Sequence, residues 1–164
     1  MEKWLSGPID GVDPLLMPAA HALLQVRGEI PVALEGLSTE QIWTRPGTSA
    51  SIGFHAMHLA GATERLMTYA AGSQLNDAQV AEARAEKGLD GLTPAEVIAR
   101  VNRAIDTALA QIRTTDSATL TDPREVGRQR LPSNVLGLIF HAAEHAVRHA
   151  AQIATLRKIV ASSG

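Results

Sequence analysis

From Asn134 to about Val160 the chain runs without a proline and carries histidines at intervals of four residues, His141, His145 and His149. This segment reads as one long helix, the longest in the chain. An α-helix turns about 100° per residue, so positions four apart are offset by only about 40°. The three imidazoles therefore share one stripe with Leu138 and Gln152. Histidine is an ordinary helix former, and propensity gives no reason to place three of them on one face. Two imidazoles four apart on a helix grip a single metal ion in several metalloenzyme motifs. The outer two are about 12 Å apart along the axis, too far to share one ion. One adjacent pair is thus expected to bind, and the remaining histidine to do something else.

Three further helices are expected. The first spans about Pro14 to Gly36, with Leu16, Ala20, Leu23, Leu24, Ile30 and Leu34 at helical spacing. Pro31 should kink it or break its regularity, since proline clashes with the preceding turn. Ser38-Thr39-Glu40-Gln41 reads as a capped single turn leading to Trp43. The second helix runs from about Ser49 to Ala71, between Pro46-Gly47 and Gly72-Ser73. The third opens on Thr93-Pro94-Ala95-Glu96, an N-cap, a proline in the first turn and a capping box. It continues through Val97, Val101, Ile105, Leu109 and Ile112.

The connection from Gly72 to Leu92 is too long for a tight turn between antiparallel neighbours. It contains AQVAEARAEKG, a candidate short exposed helix, and its length suits two consecutive helices that run parallel. A second long connection, Thr114 to Arg130, has room for an extended segment. Its Arg124, Arg128 and Arg130 read as a solvated basic loop. Residues 1–164 are expected to form a single all-α domain, a four-helix bundle with long crossover connections.

Composition narrows the function. There is no cysteine, so disulfides, thiolate metal sites and a cysteine nucleophile are excluded. A net charge of −2 and a pI of about 6.3 offer no basic stripe for nucleic acid. No stretch approaches the roughly 20 apolar residues of a membrane span. Asp10 and Asp13 with Pro8 and Pro14 break the amino terminus as a signal peptide. A cytoplasmic protein is expected, with no nucleic-acid and no membrane partner.

The second helix holds its own pair in Gly53-Phe54-His55-Ala56-Met57-His58-Leu59-Ala60-Gly61. Its midpoint falls near Ala60 and that of the fourth helix near Ala146. Centres of packed helices meet at similar height whichever way they run, so His58 can reach His145 and His149 if the two helices are neighbours. Ala56, Ala60, Gly61, Ala142, Ala146 and Ala150 would leave room around such a site. His21, alone on its helix, reads as structural or exposed. His141-Ala-Ala-Glu-His145 also matches the H-x-x-E-H of inverted zinc proteases. That chemistry needs an acidic ligand downstream, and no Asp or Glu follows His145.

Two stretches, Ser51-Ile-Gly-Phe-His-Ala-Met-His58-Leu-Ala-Gly-Ala-Thr-Glu-Arg-Leu66 and His141-Ala-Ala-Glu-His145-Ala-Val-Arg-His149-Ala-Ala-Gln-Ile153, make the chain resemble the DinB/YfiT-type helical-bundle metalloproteins. The resemblance implies an up-down-down-up bundle and a homodimer. It also implies a metal triad of one histidine from helix two and the last two of the fourth-helix motif: His58, His145 and His149. His55 competes with His58 but stands nearer the helix start. His141 matches a family position that is not a ligand. Some relatives are transferases or isomerases that use a low-molecular-weight thiol.

Three imidazoles on one divalent ion leave a coordination position open, the form of catalytic rather than structural sites. Nitrogen ligands suit zinc or nickel, among others. The expected function is a metal-dependent enzyme acting on a small-molecule substrate, a hydrolase or a thiol S-transferase. The alternative is a non-catalytic bundle with a structural metal, or a binding and dimerisation module. Catalytic groups are not identified by the sequence. Glu144 is a candidate to orient an imidazole, with an ordinary ion pair to Arg148 or Arg65 as the plainer alternative. His141, His55 and Gln152 are further candidates to line the pocket.

Overall fold

The structure is a computed structural model that describes residues 2–161. Helix dominates it: α1 (Met17–Leu34), α2 (Thr39–Trp43), α3 (Ile52–Ala70), α4 (Asp77–Ala85), α5 (Pro94–Thr114) and α6 (Val135–Ala161). The four long ones bury one another's apolar faces. α3 packs against α6 and α5, and α1 packs against the same two. Fully buried Leu23, Ile30, Leu59, Ile105, Ile139 and Ile153 make one continuous core from all four. Among the described residues no helix is long and apolar enough to cross a membrane.

Local chemistry explains most boundaries. Ser38 accepts a hydrogen bond from the Gln41 backbone, and the Gln41 side chain answers at the Ser38 backbone, so α2 starts as a capping box. Thr93 and Glu96 do the same for α5, with Pro94 in the first turn. Val97, Val101, Ile105, Leu109 and Ile112 then fall on the buried side of α5. Gly36, just past α1, has φ +74°, a conformation that favours glycine. α1 nevertheless contains Pro31 and continues three residues beyond it. So close to the helix end, proline forfeits a single ladder bond, and the buried Ile30 and Leu34 on either side hold the last turn in place.

Two departures from the sequence reading matter for the site. First, the regular structure is not purely helical: β1 (Pro123–Val126) pairs antiparallel with β2 (Leu131–Asn134). Arg124 in β1 is not a freely solvated loop residue. Its Nε donates to the Ala70 carbonyl at 2.9 Å and ties the hairpin to the C-terminal end of α3, where unpaired carbonyls attract a cation. Second, α4 itself buries nothing, as expected of an exposed helix, but the 3-10 turn that follows it, Glu86–Gly88, buries Glu86.

Candidate metal centre

The site is assembled where α3 lies along α6. Ser51 caps α3 by accepting from the Phe54 N–H at 3.1 Å. Trp43 covers this end of the helix and donates its indole N–H to the Leu92 carbonyl at 2.8 Å. Its ring sits so close to Gly53 that a Cβ there would lie 2.7 Å from it. Further along, Ala56, Ala60, Ala142 and Ala146 are fully buried. These small side chains leave the space between the helices to imidazoles.

Four of those imidazoles meet. His58 lies with its ring centroid 5.2 Å from that of His145 and 4.9 Å from that of His149, and His145 and His149 are 4.5 Å apart. One nitrogen from each of these three lies within 4.8 Å of the others. His55, one turn back on α3, meets His149 Nδ1 with its own Nδ1 at 2.9 Å. One of those two rings donates and the other accepts. His58 Nδ1 donates to a Glu86 carboxylate oxygen at 2.8 Å, so that in the neutral ring the lone pair sits on Nε2. His145 Nδ1 is buried and has no hydrogen-bond partner.

Burial and neighbouring charge disfavour protonation of three of the four rings. Burial pushes the His149 pKa down to about 3, helped by His145, His58, His55 and Arg148. Burial also lowers His145 and His55, and neighbouring positive charge adds to the effect. Burial alone would raise Glu86, but its bonds to His58 and Arg65 more than offset this and hold it below the usual carboxylate range. Near neutral pH the site thus offers neutral imidazoles at His55, His145 and His149 and an ionised carboxylate at Glu86. A divalent ion needs its ligands deprotonated, and an ion held here could give the orphaned His145 nitrogen a partner. The donor set fits a metal.

The profile of the DinB superfamily matches residues 22–153, most of the chain and every residue of this cluster. The chain belongs to the DinB superfamily. Members of that superfamily typically bind metal. Among solved structures, the chain is similar to a conserved protein of Enterococcus faecalis. The two share 16% identity over 88% of this chain and 96% of that one, with a TM-score of 0.64, a likeness of fold. No curated protein matches the chain.

Within this DinB-superfamily site the other candidates fall in different places. His141 is exposed on α6, and its Nδ1 pairs with Glu144 at 2.7 Å. Glu144 also takes the Arg148 guanidinium at 2.6 and 2.8 Å, so it serves the rim rather than any of the three clustered rings. Gln152 is exposed and, with Arg148, lines a groove of about 490 Å³ that opens beside His55. His21 is buried and bonds the Gly7 carbonyl at 2.9 Å. The residue that sequence reasoning missed is Glu86. It shares no spacing with the histidines, and only the length of the connection that carries it marked the region.

The depressed His149 pKa has a measurable consequence in the metal-free protein. An unfolded histidine takes up its proton below about pH 6.5, whereas folded His149 does so only near 3. Between those values the unfolded chain binds the extra proton, so native stability falls as pH falls through that window. Urea midpoints of metal-free protein should drop between pH 7 and 5, above the range where carboxylates titrate. The slope should flatten in His149→Gln, and an unchanged slope would remove His149 as its source.

Proposed function

We propose that His58, His145 and His149 hold one divalent ion, zinc or nickel, and that the protein is a metal-dependent enzyme acting on a small molecule. The observation that carries this reading is the convergence of three imidazole nitrogens within 4.8 Å, with no fourth protein donor in the set among the described residues. Three protein ligands leave a position for substrate or water, whereas structural zinc sites usually close with four. A bound ion would supply Lewis acidity, polarising a substrate carbonyl or acidifying a water or thiol.

The chain's own residues have separate tasks in this reading. Glu86 holds the His58 ring, His55 holds the His149 ring, and the groove with Arg148 and Gln152 admits the substrate. The reaction is hydrolysis or transfer to a low-molecular-weight thiol. With no cysteine in the chain, such a thiol comes from outside as a cosubstrate. The pairing of the long helices suits an up-down-down-up four-helix bundle with α3 and α5 parallel across the 71–93 connection. We place the protein in the cytoplasm as a homodimer, which would cover the exposed Leu136, Phe140 and Val147 of α6.

The test begins with the metal. Chelator-stripped protein is titrated with zinc and nickel, then assayed against ester, amide and thiol-transfer substrates with and without the ion. One ion per chain, with turnover that appears on loading, is the expected result. Unfolding on stripping would instead make the metal structural, and failure to bind either ion would remove the metal reading.

A further inference from the structure

The segment of residues 77–88 is attached to the rest of the molecule in an unusual way. Short helices normally dock through apolar side chains, yet here the one buried residue is a carboxylate, Glu86, at 8% exposure. Both of its oxygens are engaged. Oε2 accepts from His58 Nδ1, and Oε1 takes the Arg65 guanidinium. An arginine and a carboxylate left to themselves favour a two-pronged pairing. Glu86 gives up one prong of that arrangement to the imidazole.

The seat for this carboxylate is built into α3. His58, Gly61 and Arg65 are three and seven residues apart, so they lie on one face of the helix. Gly61 is the gap between them. A Cβ at that position would collide with Glu86 Oε1 and stand 2.7 Å from Arg65 Nη1. Burying a carboxylate is strongly unfavourable unless its oxygens are paired, and this slot pairs both.

We propose that Glu86 is a positioning residue of the metal centre: it fixes the His58 ring as the Nδ1–H tautomer, with Nε2 presented to the ion, and so makes the long connection part of the site. The proposal rests on the reading of His58 as a ligand. Carboxylates that hold the far nitrogen of a metal-binding histidine set the ring's tautomer and orientation, and removing them costs about 10- to 100-fold in metal affinity. Gly61 contributes room: a Cβ there would make the ends of the Glu86 and Arg65 side chains shift from their present pairing.

Two measurements test this. The first is zinc and nickel affinity, by competition with a chromophoric chelator, for Glu86→Ala, Glu86→Gln and Gly61→Ala beside a control, Glu82→Gln, whose carboxylate is exposed on the same segment. Glu86→Ala should weaken binding about 10- to 100-fold. Gly61→Ala, which displaces the carboxylate without removing it, and Glu86→Gln, which keeps an acceptor oxygen but no charge, should fall between Glu86→Ala and the native protein. The control should bind as the native protein does. The second is the nitrogen-15 spectrum of the His58 ring in metal-free protein, which reports its tautomer without any ion. The native ring should be Nδ1–H and should become a tautomer mixture in Glu86→Ala, or in Gly61→Ala if Glu86→Ala does not fold.

Native affinity in both Glu86→Ala and Gly61→Ala overturns the proposal. So does an Nε2–H tautomer of His58 in the native protein. If the native protein binds no metal while His58 still follows Glu86 in the spectrum, the metal reading fails and the positioning of the ring stands.

Discussion

Protein carrying His149→Ala is expected to leave purification without stoichiometric metal, while His141→Ala keeps one ion per chain. His149 contributes a nitrogen to the three-way convergence with His58 and His145. A four-ligand zinc site is worth about 10–16 kcal/mol, so one ligand accounts for roughly 2.5–4 kcal/mol. Its loss should weaken binding on the order of a hundredfold to a thousandfold. His141 faces solvent and pairs with Glu144. Losing that exposed pair costs about 1 kcal/mol of stability or less and leaves the ion in place. Metal content by mass spectrometry, with helix content by circular dichroism as the folding control, reads both. Metal retained in His149→Ala and lost in His141→Ala would move the ligand pair to His141 and His145.

The second large effect separates fold from site. Leu23 is fully buried on α1, a helix that supplies none of the clustered imidazoles. Truncating it to alanine removes buried apolar surface and leaves a cavity, at a cost of about 2–5 kcal/mol. For a chain of this size that lowers Tm by on the order of 10 °C. Thermal melts in excess chelator measure it without a contribution from bound ion. At temperatures where Leu23→Ala is folded it should still take up one ion. A loss below about 0.5 kcal/mol, the range of surface substitutions, would mean that α1 does not pack as described.

Two helix starts were legible because a cap is a contact over three residues. Ser38 with Gln41 and Thr93 with Glu96 announce themselves in the sequence and make the expected bonds. An extended segment was expected between Thr114 and Arg130, where β1 lies, but its pairing with β2 was not legible. The hairpin's strands are four residues each, both include a proline, Pro123 and Pro132, and neither alternates apolar with polar residues. It is held partly by Arg124 reaching the end of α3, a contact across 54 positions that no local pattern encodes.

The site divides in the same way. The stripe of His141, His145 and His149 follows from helix periodicity alone, and so does the choice between adjacent pairs that it leaves open. Packing then made the choices. The side of α6 that meets α3 carries His145 and His149 toward His58, sets His55 against His149, and leaves His141 at the rim with Glu144.

What the sequence determined by itself was the set of long helices and the concentration of imidazoles at four-residue spacing, because backbone geometry fixes which face a residue occupies within a turn or two. Tertiary structure decided which imidazoles converge and brought Glu86 to His58 across 28 positions. That approach depends on how an irregular connection closes and on the space left at Gly61. Loop closure and steric room of this kind leave no periodic trace in a chain.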